Sequence, residues 1–600
     1  MTGPAPELPM YLGSRADTFF AILNPAARRP TQSAVLICPP FGWEEICSYR
    51  SRRLWARRLA MAGHPVLRFD WPGSGDSAGG PDDPDRLDAW TGAVFQASDW
   101  LSEAAGEAPI TAIGIGLGGI IACRAALQGA DLGQLILWGA SAKGRDQVRE
   151  LRAFSRLEVA ATPSPDGAAA ATDGSITANG HTMSEQTVAE LTALELTSAT
   201  PGIHTRRALL LSRDTLRVDE GLKMVLEQSG VQVHVADGTG YGAMTVEPQD
   251  ALPPTKVFAT VDAWLDEETA QDPSSPRGDA SQPTALPRVN QEMELNVSGI
   301  TIRERPMIVE RPEGRLVGVL SEPVGERREL TAVLLNAGPQ RRIGPNRMWV
   351  QIARRWSALG VPTLRVDVEA IGDSDGDDSA LVKVAALYQP VYVGQVEAVL
   401  DALAERRLPP RFVLLGLCSG AYWSMHVAAI DERVSGIMML NPRALIWDEW
   451  EYTVRRTREL RERLLRASTW RRALRGELTL ARHLETAKAV ASRALSAPGR
   501  TQGDDPADGR AARTASAITI LDKLSERGQR VLVLLTGAEP LREELSPGGV
   551  LANPARWPEL ELALMGSDVD THTLAPAWLQ HEVSELVDRR MMEELERLPD

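Results

Sequence analysis

The chain repeats one pattern of strands and helices in its two halves, and this repeat limits the possible folds more than any other feature. The first copy reads AVLICPP, RSRRLWARRLAMAG and PVLRFDWPGSGDSAGG, and the second reads AVLLNAGP, NRMWVQIARRWSALG and PTLRVDVEAIGDSDGD. Corresponding residues such as Leu67 and Leu364, or Gly116 and Cys418, keep a nearly constant separation along the chain. A repeat of this length indicates the duplication of a whole domain.

The domain boundaries follow from length and composition. A chain of 600 residues is longer than one hydrophobic core normally accommodates, so at least two domains are expected. Segment 269–288 is rich in Pro, Ser, Ala and Asp and lacks apolar periodicity, which is typical of a linker. We therefore predict a first domain over 1–268, a linker over 269–288 and a second domain over 289–600.

Each half alternates short, β-branched apolar runs with amphipathic helices. This alternation is typical of an α/β fold with a mostly parallel sheet that helices cover on both faces. Long connections at about 141–206 and 444–528 interrupt the pattern, and we predict that they form lids over a site. The sequence therefore predicts two tandem α/β domains with helical lid insertions.

The same strand–turn–helix junction occurs once in each half, as GIGLG and as GLCSG. Glycine, any residue, a nucleophile, any residue and glycine after a strand is the nucleophile elbow of the α/β-hydrolase fold. The register of the glycines selects Cys418 as the nucleophile of the second half, in preference to Ser419. The corresponding residue of the first half is Gly116, which has no side chain to react.

A thiol nucleophile requires a base, and the base requires an acid that orients it. His572 lies in the loop between the last strand and the terminal helix, which is where this fold places its histidine. The acid should follow the preceding strand VLVLLT, where Glu539 comes first and Glu543 and Glu544 remain alternatives. The order of Cys418, acid and histidine along the chain is that of the α/β hydrolases.

The predicted oxyanion hole uses two backbone N–H groups. The first belongs to Ser419, which follows the nucleophile at the amino terminus of a helix. The second should come from the loop after AVLLN, where Pro339 has no N–H to donate. We assign Gln340 as this second donor and keep Gly338 in reserve.

Two segments resemble known families within the α/β-hydrolase superfamily. VLICPPFGWEE and LRFDWPGSGDSAG are similar to exosortase-associated and serine-aminopeptidase-like hydrolases. GLCSGAYWSMHVAAIDERVSGIMMLNP resembles related bacterial hydrolases found near polysaccharide and natural-product genes. The resemblance covers about 30–265 and 300–600. These families commonly carry serine at the elbow, whereas a cysteine there resembles dienelactone hydrolases, polyester synthases and some thioesterases.

The first half lacks the residues that chemistry would need. Besides Gly116, the resemblance implies that Gln249 stands at the position of the base, and Asp214 keeps the place of the acid. A glutamine side chain does not act as a general base at neutral pH. We therefore predict that the first domain is a pseudo-hydrolase.

Three functions compete for the second half. The first is acyl transfer from a thioester, either to water or to another acceptor, through an acyl-Cys418 intermediate. The second is hydrolysis of an ester or a lactone, which the dienelactone hydrolase resemblance implies. The third is a non-catalytic scaffold, against which the presence of Cys418, His572 and Glu539 weighs. A thiolate exchanges readily with a thioester because both leaving groups are thiols, and this favours the first function.

Composition excludes several other classes. The formal net charge of −15 argues against a general nucleic-acid binder, and the apolar runs are shorter than the ~20 residues of a membrane span. The eight histidines and four cysteines show no metal-ligand spacing, so we expect neither a metal nor another cofactor. The few cysteines and the absence of signal-peptide character in MTGPAPELPM favour a cytoplasmic location.

The second lid carries a local surplus of positive charge. Between Arg455 and Arg500 there are 13 Lys or Arg residues and 4 Asp or Glu residues. A solvated helix surface would explain this pattern. The alternative is a binding site for an anionic acyl donor, either coenzyme A or an acyl carrier protein, with Arg471 and Arg472 as its contacts.

Overall fold

The structure is a computed structural model, and its description covers most of the chain. The described residues are 6–14, 17–27, 33–161, 174–197, 203–271, 286–378, 384–449, 506–537, 539, 541–545, 550, 553–566 and 571–598.

The first half contains an eight-stranded sheet within the described ranges. Its strands are β1 (Leu8–Leu12), β2 (Phe19–Asn24), β3 (Ala34–Cys38), β4 (Val66–Phe69), β5 (Ile110–Ile115), β6 (Leu132–Trp138), β9 (Arg207–Leu211) and β10 (Gln232–Ala236). They lie in the order β1-β2-β4-β3-β5-β6-β9-β10. The strands β1 and β2 pair antiparallel, β2 pairs antiparallel with β4, and the remaining neighbours are parallel.

Helices cover the first sheet, and a separate hairpin of β7 (Ile176–Ala178) and β8 (His181–Met183) lies in its long insertion. The fully buried apolar runs of the central strands require cover on both faces, which amphipathic helices provide. The helices of this half are α1 (Trp43–Ala62), α2 (Arg86–Ala104), α3 (Leu117–Leu127), α4 (Gly144–Ala161), α5 (Glu185–Ala193), α6 (Glu220–Gln228), α7 (Tyr241–Met244) and α8 (Thr255–Gln271).

The second half contains a nine-stranded sheet within the described ranges. Its strands are β11 (Met293–Val297), β12 (Ile300–Val309), β13 (Leu316–Pro323), β14 (Thr331–Ala337), β15 (Thr363–Val366), β16 (Phe412–Leu417), β17 (Val434–Leu440), β18 (Arg530–Thr536) and β19 (Leu560–Met565). They lie in the order β11-β12-β13-β15-β14-β16-β17-β18-β19. The first three strands and the β13–β15 pair are antiparallel, and the rest are parallel.

The described helices of the second half pack against both faces of this sheet. They are α9 (Met348–Ala358), α10 (Pro390–Glu405), α11 (Ser419–Ala428), α12 (Pro506–Glu526), α13 (Leu541–Glu544) and α14 (Ala577–Glu596), with a 3₁₀ helix at Val384–Tyr388. Among the helices of the described ranges, none has the length and apolar character of a membrane-spanning segment.

The predicted fold class is confirmed: the chain has the α/β-hydrolase fold, with one mostly parallel sheet in each half. Two features were not predicted. Antiparallel strands extend one edge of each sheet before the parallel core begins, and the insertion of the first half contains the β7–β8 hairpin. The predicted linker 269–288 lies between α8 and β11, and most of it is outside the described residues.

The two halves meet through buried ion pairs with an approximate two-fold arrangement. Each of two corresponding arginines contacts one carboxylate of its own half and one of the other half. Arg68 lies 3.0 Å from Glu7 and 3.2 Å from Asp373, and Arg365 lies 2.9 Å from Glu304 and 2.5 Å from Asp76. These side chains are at most 6% exposed, so the ion pairs between the halves are buried.

Arg342 lies at the centre of this interface and is fully buried. Its guanidinium is 2.8 Å from Asp76, 2.7 Å from Asp367 and 2.8 Å from Asp373. Burial alone would raise the pKa of Asp76 and Asp373, but Arg342 and neighbouring arginines lower both pKa values below the ordinary range. The arginines therefore compensate the charges of Asp76 and Asp373, whereas at Asp367 burial outweighs Arg342 and raises the pKa.

Candidate active site

Cys418 stands at the sharp turn between β16 and α11. Its backbone angles are φ 59° and ψ −111°, a conformation that residues with a side chain rarely adopt. Its N–H donates to Leu440 O at 2.9 Å, which ties the turn to the neighbouring strand β17. A side chain at Gly416 would overlap the backbone of Gly420, so the flanking glycines allow strand and helix to approach each other closely. The strain at Cys418 is that of an elbow that raises a side chain above the sheet.

His572 and Glu539 lie together at the carboxyl ends of β19 and β18. His572 Nδ1 is 2.7 Å from Glu539 Oε1, and the two side chains are 13% and 6% exposed. The histidine loop is held by two further bonds, from Asn441 Nδ2 to His572 O at 3.0 Å and from Thr536 Oγ1 to Thr571 O at 3.2 Å. The carboxylate therefore fixes the orientation of the imidazole and leaves its Nε2 for another partner.

Cys418 also bonds His572, which links Cys418, His572 and Glu539 into one row of connected side chains. Burial would raise the pKa of Cys418, but the charge and hydrogen bond of His572 lower it to about 6, with help from Arg443 and Tyr388. Burial and Arg443 would lower the pKa of His572, but the Cys418 thiolate and the Glu539 bond raise it to about 9. Both shifts favour a thiolate on Cys418 paired with an imidazolium on His572.

An aromatic wall stands beside the thiol. The hydroxyl of Tyr388 is 3.5 Å from Cys418 Sγ. Its ring stacks on Trp447 at a centroid distance of 3.8 Å and meets Tyr422 edge-on at 5.1 Å. Sequence reasoning missed Tyr388 and Arg443, because neither lies in a motif or at a periodic position.

The two predicted oxyanion donors, Ser419 and Gln340, have different surroundings. Ser419 is the first residue of α11, where backbone N–H groups have no partner within the helix. The N–H of Gln340 donates to Ala337 O at 3.2 Å and closes a turn. The reserve candidate, Gly338, has φ 58° and no described atom within 4 Å of the position of a Cβ. It therefore borders open space at the end of β14.

Some predicted residues lie outside the described part of the chain. Arg471 and Arg472, with most of the predicted lid 444–528, belong to this group. The side chains of Glu543 and Glu544 are likewise not described, and of the three candidate acids it is Glu539 that bonds His572.

In the first half, other side chains fill the place of a nucleophile. Gly116 has φ 54°, and a Cβ there would lie 2.7 Å from Tyr241 Oη and 3.1 Å from Glu44 Oε2. Tyr241 is fully buried and donates to Glu44 Oε2 at 2.8 Å. The guanidinium of Arg213 lies over the Tyr241 ring, 4.4 Å from its centroid. A packed polar cluster therefore occupies this site.

Asp214 and Gln249 both bond groups within the first half. Asp214 accepts hydrogen bonds from the N–H groups of Gly240 and Gly242, each at 2.7 Å, and so holds the turn that carries Tyr241. Gln249 was expected at the position of the base, but the residue that faces Gly116 is Tyr241, and the side chain of Gln249 bonds Glu247. This correction follows from the turn at Gly240, which brings the tyrosine inward before the chain reaches Gln249.

Comparison with protein families gives one match. Residues 30–217 match the Hydrolase_4 family, described as "Serine aminopeptidase, S33". The match falls on the half whose elbow carries Gly116. No curated protein matches the chain.

Solved structures similar to the chain include three with different activities in their titles. Est1E from Butyrivibrio proteoclasticus with bound ferulic acid is 18% identical, over 48% of this chain and 100% of that chain, with a TM-score of 0.30. Proline iminopeptidase from Mycobacterium smegmatis is 17% identical, over 48% and 99%, with a TM-score of 0.31. The thioesterase domain from the curacin biosynthetic pathway is 12% identical, over 47% and 99%, with a TM-score of 0.27. At these values the likenesses carry no information about substrate.

The sheet order, the two elbows and the family match agree with one another. The chain therefore has the α/β-hydrolase fold, and its residues 30–217 match the Hydrolase_4 family.

Proposed function

We propose that the second half catalyses acyl transfer from a thioester through an acyl-Cys418 intermediate. Cys418 is the nucleophile, His572 the general base and acid, and Glu539 the group that orients the histidine. The observation that carries the proposal is the connected set of contacts at the elbow: a strained Cys418, its bond with His572, and the 2.7 Å bond from His572 to Glu539.

In the first step, the Cys418 thiolate attacks the thioester carbonyl and forms a new carbon–sulfur bond. The Ser419 N–H would stabilise the oxyanion that develops, with Gly338 as the second donor in place of Gln340. The old carbon–sulfur bond then breaks, and the departing thiolate takes a proton from the His572 imidazolium. In the second step, His572 removes a proton from water, an alcohol or an amine, which attacks the acyl group and releases Cys418.

A thiol nucleophile supports a thioester rather than an oxygen ester as the donor. A thiolate is a better leaving group than an alkoxide, so its attack on an oxygen ester tends to reverse. Exchange with a thioester interconverts two thiolates and costs little. We include coenzyme A and acyl carrier protein among the proposed donors, because the basic segment between Arg455 and Arg500 suits an anionic carrier. A cytoplasmic location would keep Cys418 reduced.

Incubation with acyl thioesters should load one acyl group onto Cys418. Intact-protein mass spectrometry after mixing with acyl-coenzyme A, acyl carrier protein or a small uncharged thioester is the direct measurement. We expect a mass increase of one acyl group that maps to the Cys418 peptide and disappears in Cys418→Ala. Cys123→Ala removes a buried thiol from the matching helix of the first half and should leave the adduct unchanged. Turnover of a genuine substrate by Cys418→Ala at the wild-type rate would refute the proposal.

We also propose that the first half is catalytically silent, and Gly116→Ser tests this. The new side chain would meet Tyr241 Oη at 2.7 Å, and no described histidine contacts that position, so we expect no acylation at position 116 and no gain in hydrolysis. The measurement is acyl-adduct mapping in Gly116→Ser combined with Cys418→Ala. An adduct at position 116, or hydrolysis above the Cys418→Ala background, would contradict this expectation.

A further inference from the structure

We infer that the β7–β8 hairpin of the first half positions the catalytic histidine loop of the second half, with Gly180 as the contact residue. The inference rests on the proposed function, in which His572 acts on Cys418. It gives the catalytically silent first half a role in positioning a catalytic residue of the second half.

Two side-chain amides bond the backbone of the histidine loop, which is the segment that carries His572 and leads into α14. Asn346 Nδ2 donates to Leu574 O at 3.1 Å, and Gln580 Nε2 donates to Ala575 O at 2.8 Å. Leu574 has φ 55°, a left-handed conformation that a leucine adopts only when its surroundings enforce it. The two amides therefore bond the backbone that follows His572.

Gly180 of the first half lies against both amides. It forms the turn of the hairpin with φ 79°. A Cβ at this position would overlap Gln580 Nε2 and Asn346 Nδ2 and would lie 2.5 Å from Ala575 O. Only a glycine allows the hairpin to approach the loop this closely, and any side chain at residue 180 would displace the groups that hold Leu574 and Ala575.

The hairpin is itself fixed to the first half, so it can serve as a rigid support. Ile176 pairs with Met183, and both side chains are buried in the core of the first half. The N–H of Asn179, next to Gly180 in the turn, donates to a carboxylate oxygen of Glu158 on α4. The chain of contacts thus runs from the core of one half, through Gly180, to the loop that carries His572.

The test compares Gly180→Ala with Gly230→Ala. Gly230 follows α6 in the same half and has φ 84°, but no described atom lies within 4 Å of its Cβ position. Both variants therefore carry the same left-handed backbone penalty, and only Gly180→Ala introduces an overlap at the histidine loop. The readouts are kcat/KM with an acyl thioester, the pH dependence of Cys418 alkylation, and the thermal unfolding midpoint.

We expect Gly180→Ala to lower kcat/KM by about 100-fold, because a displacement of about 1 Å at a catalytic group has an effect of this size. Its alkylation profile should shift to higher pH, since the Cys418 thiolate loses its imidazolium partner. Gly230→Ala should match the wild type in both readouts. Glu158→Ala, which only loosens the turn of the hairpin, should shift both readouts in the same direction by a smaller amount, and it serves if Gly180→Ala does not fold.

These measurements distinguish a failure of the proposed function from a failure of the positioning role alone. A wild-type protein that forms no acyl adduct on Cys418 would refute the proposed function and the inference together. A low wild-type pKa that stays unchanged in Gly180→Ala and in Glu158→Ala, with kcat/KM equal to that of Gly230→Ala, would overturn the positioning role alone.

Discussion

His572→Ala is expected to lower turnover by about 10³-fold, which is typical of the loss of a general base and acid. It should also raise the pKa of Cys418, because burial then acts without the opposing charge of His572. The rate of alkylation of the wild type should rise with pH through a pKa of about 6. The variant should react slowly until the pH exceeds the pKa of an ordinary thiol. The measurement is the rate of Cys418 modification by iodoacetamide as a function of pH. Burial raises the pKa of Cys38, Cys47 and Cys123, so their reaction should be slow.

The shape of the wild-type pH profile of turnover follows from the titration of Cys418 and His572. The thiolate forms as the pH rises through about 6, and the imidazolium that protonates the leaving group is lost as the pH rises through about 9. Turnover should therefore be bell-shaped between these values. His581→Ala, an exposed histidine on α14 that pairs with Glu585, is the matched control and should leave the profile intact. Equal profiles for His572→Ala and His581→Ala would remove His572 from the mechanism.

Arg342→Met is expected to lower the free energy of unfolding by about 3–5 kcal/mol, the range for the loss of one partner of a buried ion pair. The substitution keeps most of the side-chain volume but leaves Asp76, Asp367 and Asp373 without their shared cation. The measurement is a urea titration followed by tryptophan fluorescence at neutral pH. Activity should fall with stability, because the active site lies in a half that packs on this interface.

The effect of Arg342→Met should also depend on pH. The wild-type pKa values of Asp76 and Asp373 are lowered, so the stability that their ionised forms contribute is lost as the pH falls through those values. In the variant the same carboxyls protonate more readily, which relieves the uncompensated charge in acid. The difference in stability should therefore narrow as the pH falls.

Arg303→Met provides the control for the interface. Arg303 pairs with Glu292 and Glu294 at the surface and is 39% exposed, so its loss should cost at most about 1 kcal/mol. A loss for Arg342→Met no greater than for Arg303→Met would mean that the buried network contributes little to joining the halves.

Much of the fold could be predicted from the sequence because its signals are local. Buried parallel strands appear as continuous apolar runs, and the helices between them keep an amphipathic period. The spacing of the glycines in GLCSG requires a sharp turn, and this places Cys418 above the sheet without any knowledge of its neighbours. The order of elements then brings His572 and Glu539 to the same edge, because the carboxyl ends of parallel strands meet there.

The rest depended on contacts between segments far apart in the chain. Tyr388 faces Cys418 from a short 3₁₀ helix that no motif marks, and Tyr241 faces Gly116 because a turn redirects the chain. The bond from the Gln340 N–H to Ala337 O, which closes a turn, is likewise visible only in three dimensions.

The interface between the two halves shows most clearly which features the sequence predicts and which depend on tertiary structure. The sequence by itself determined that there are two similar halves, that one has Cys418 at its elbow and that the other has Gly116 there. It did not reveal that Arg342 and its carboxylates are buried, because charged residues in loops normally lie in water. Nor did it reveal that Gly180 reaches the histidine loop. Periodicity records which face of an element is apolar, whereas the burial of a charge or the close approach of two backbones depends on how complete domains pack, and only the tertiary structure decides that.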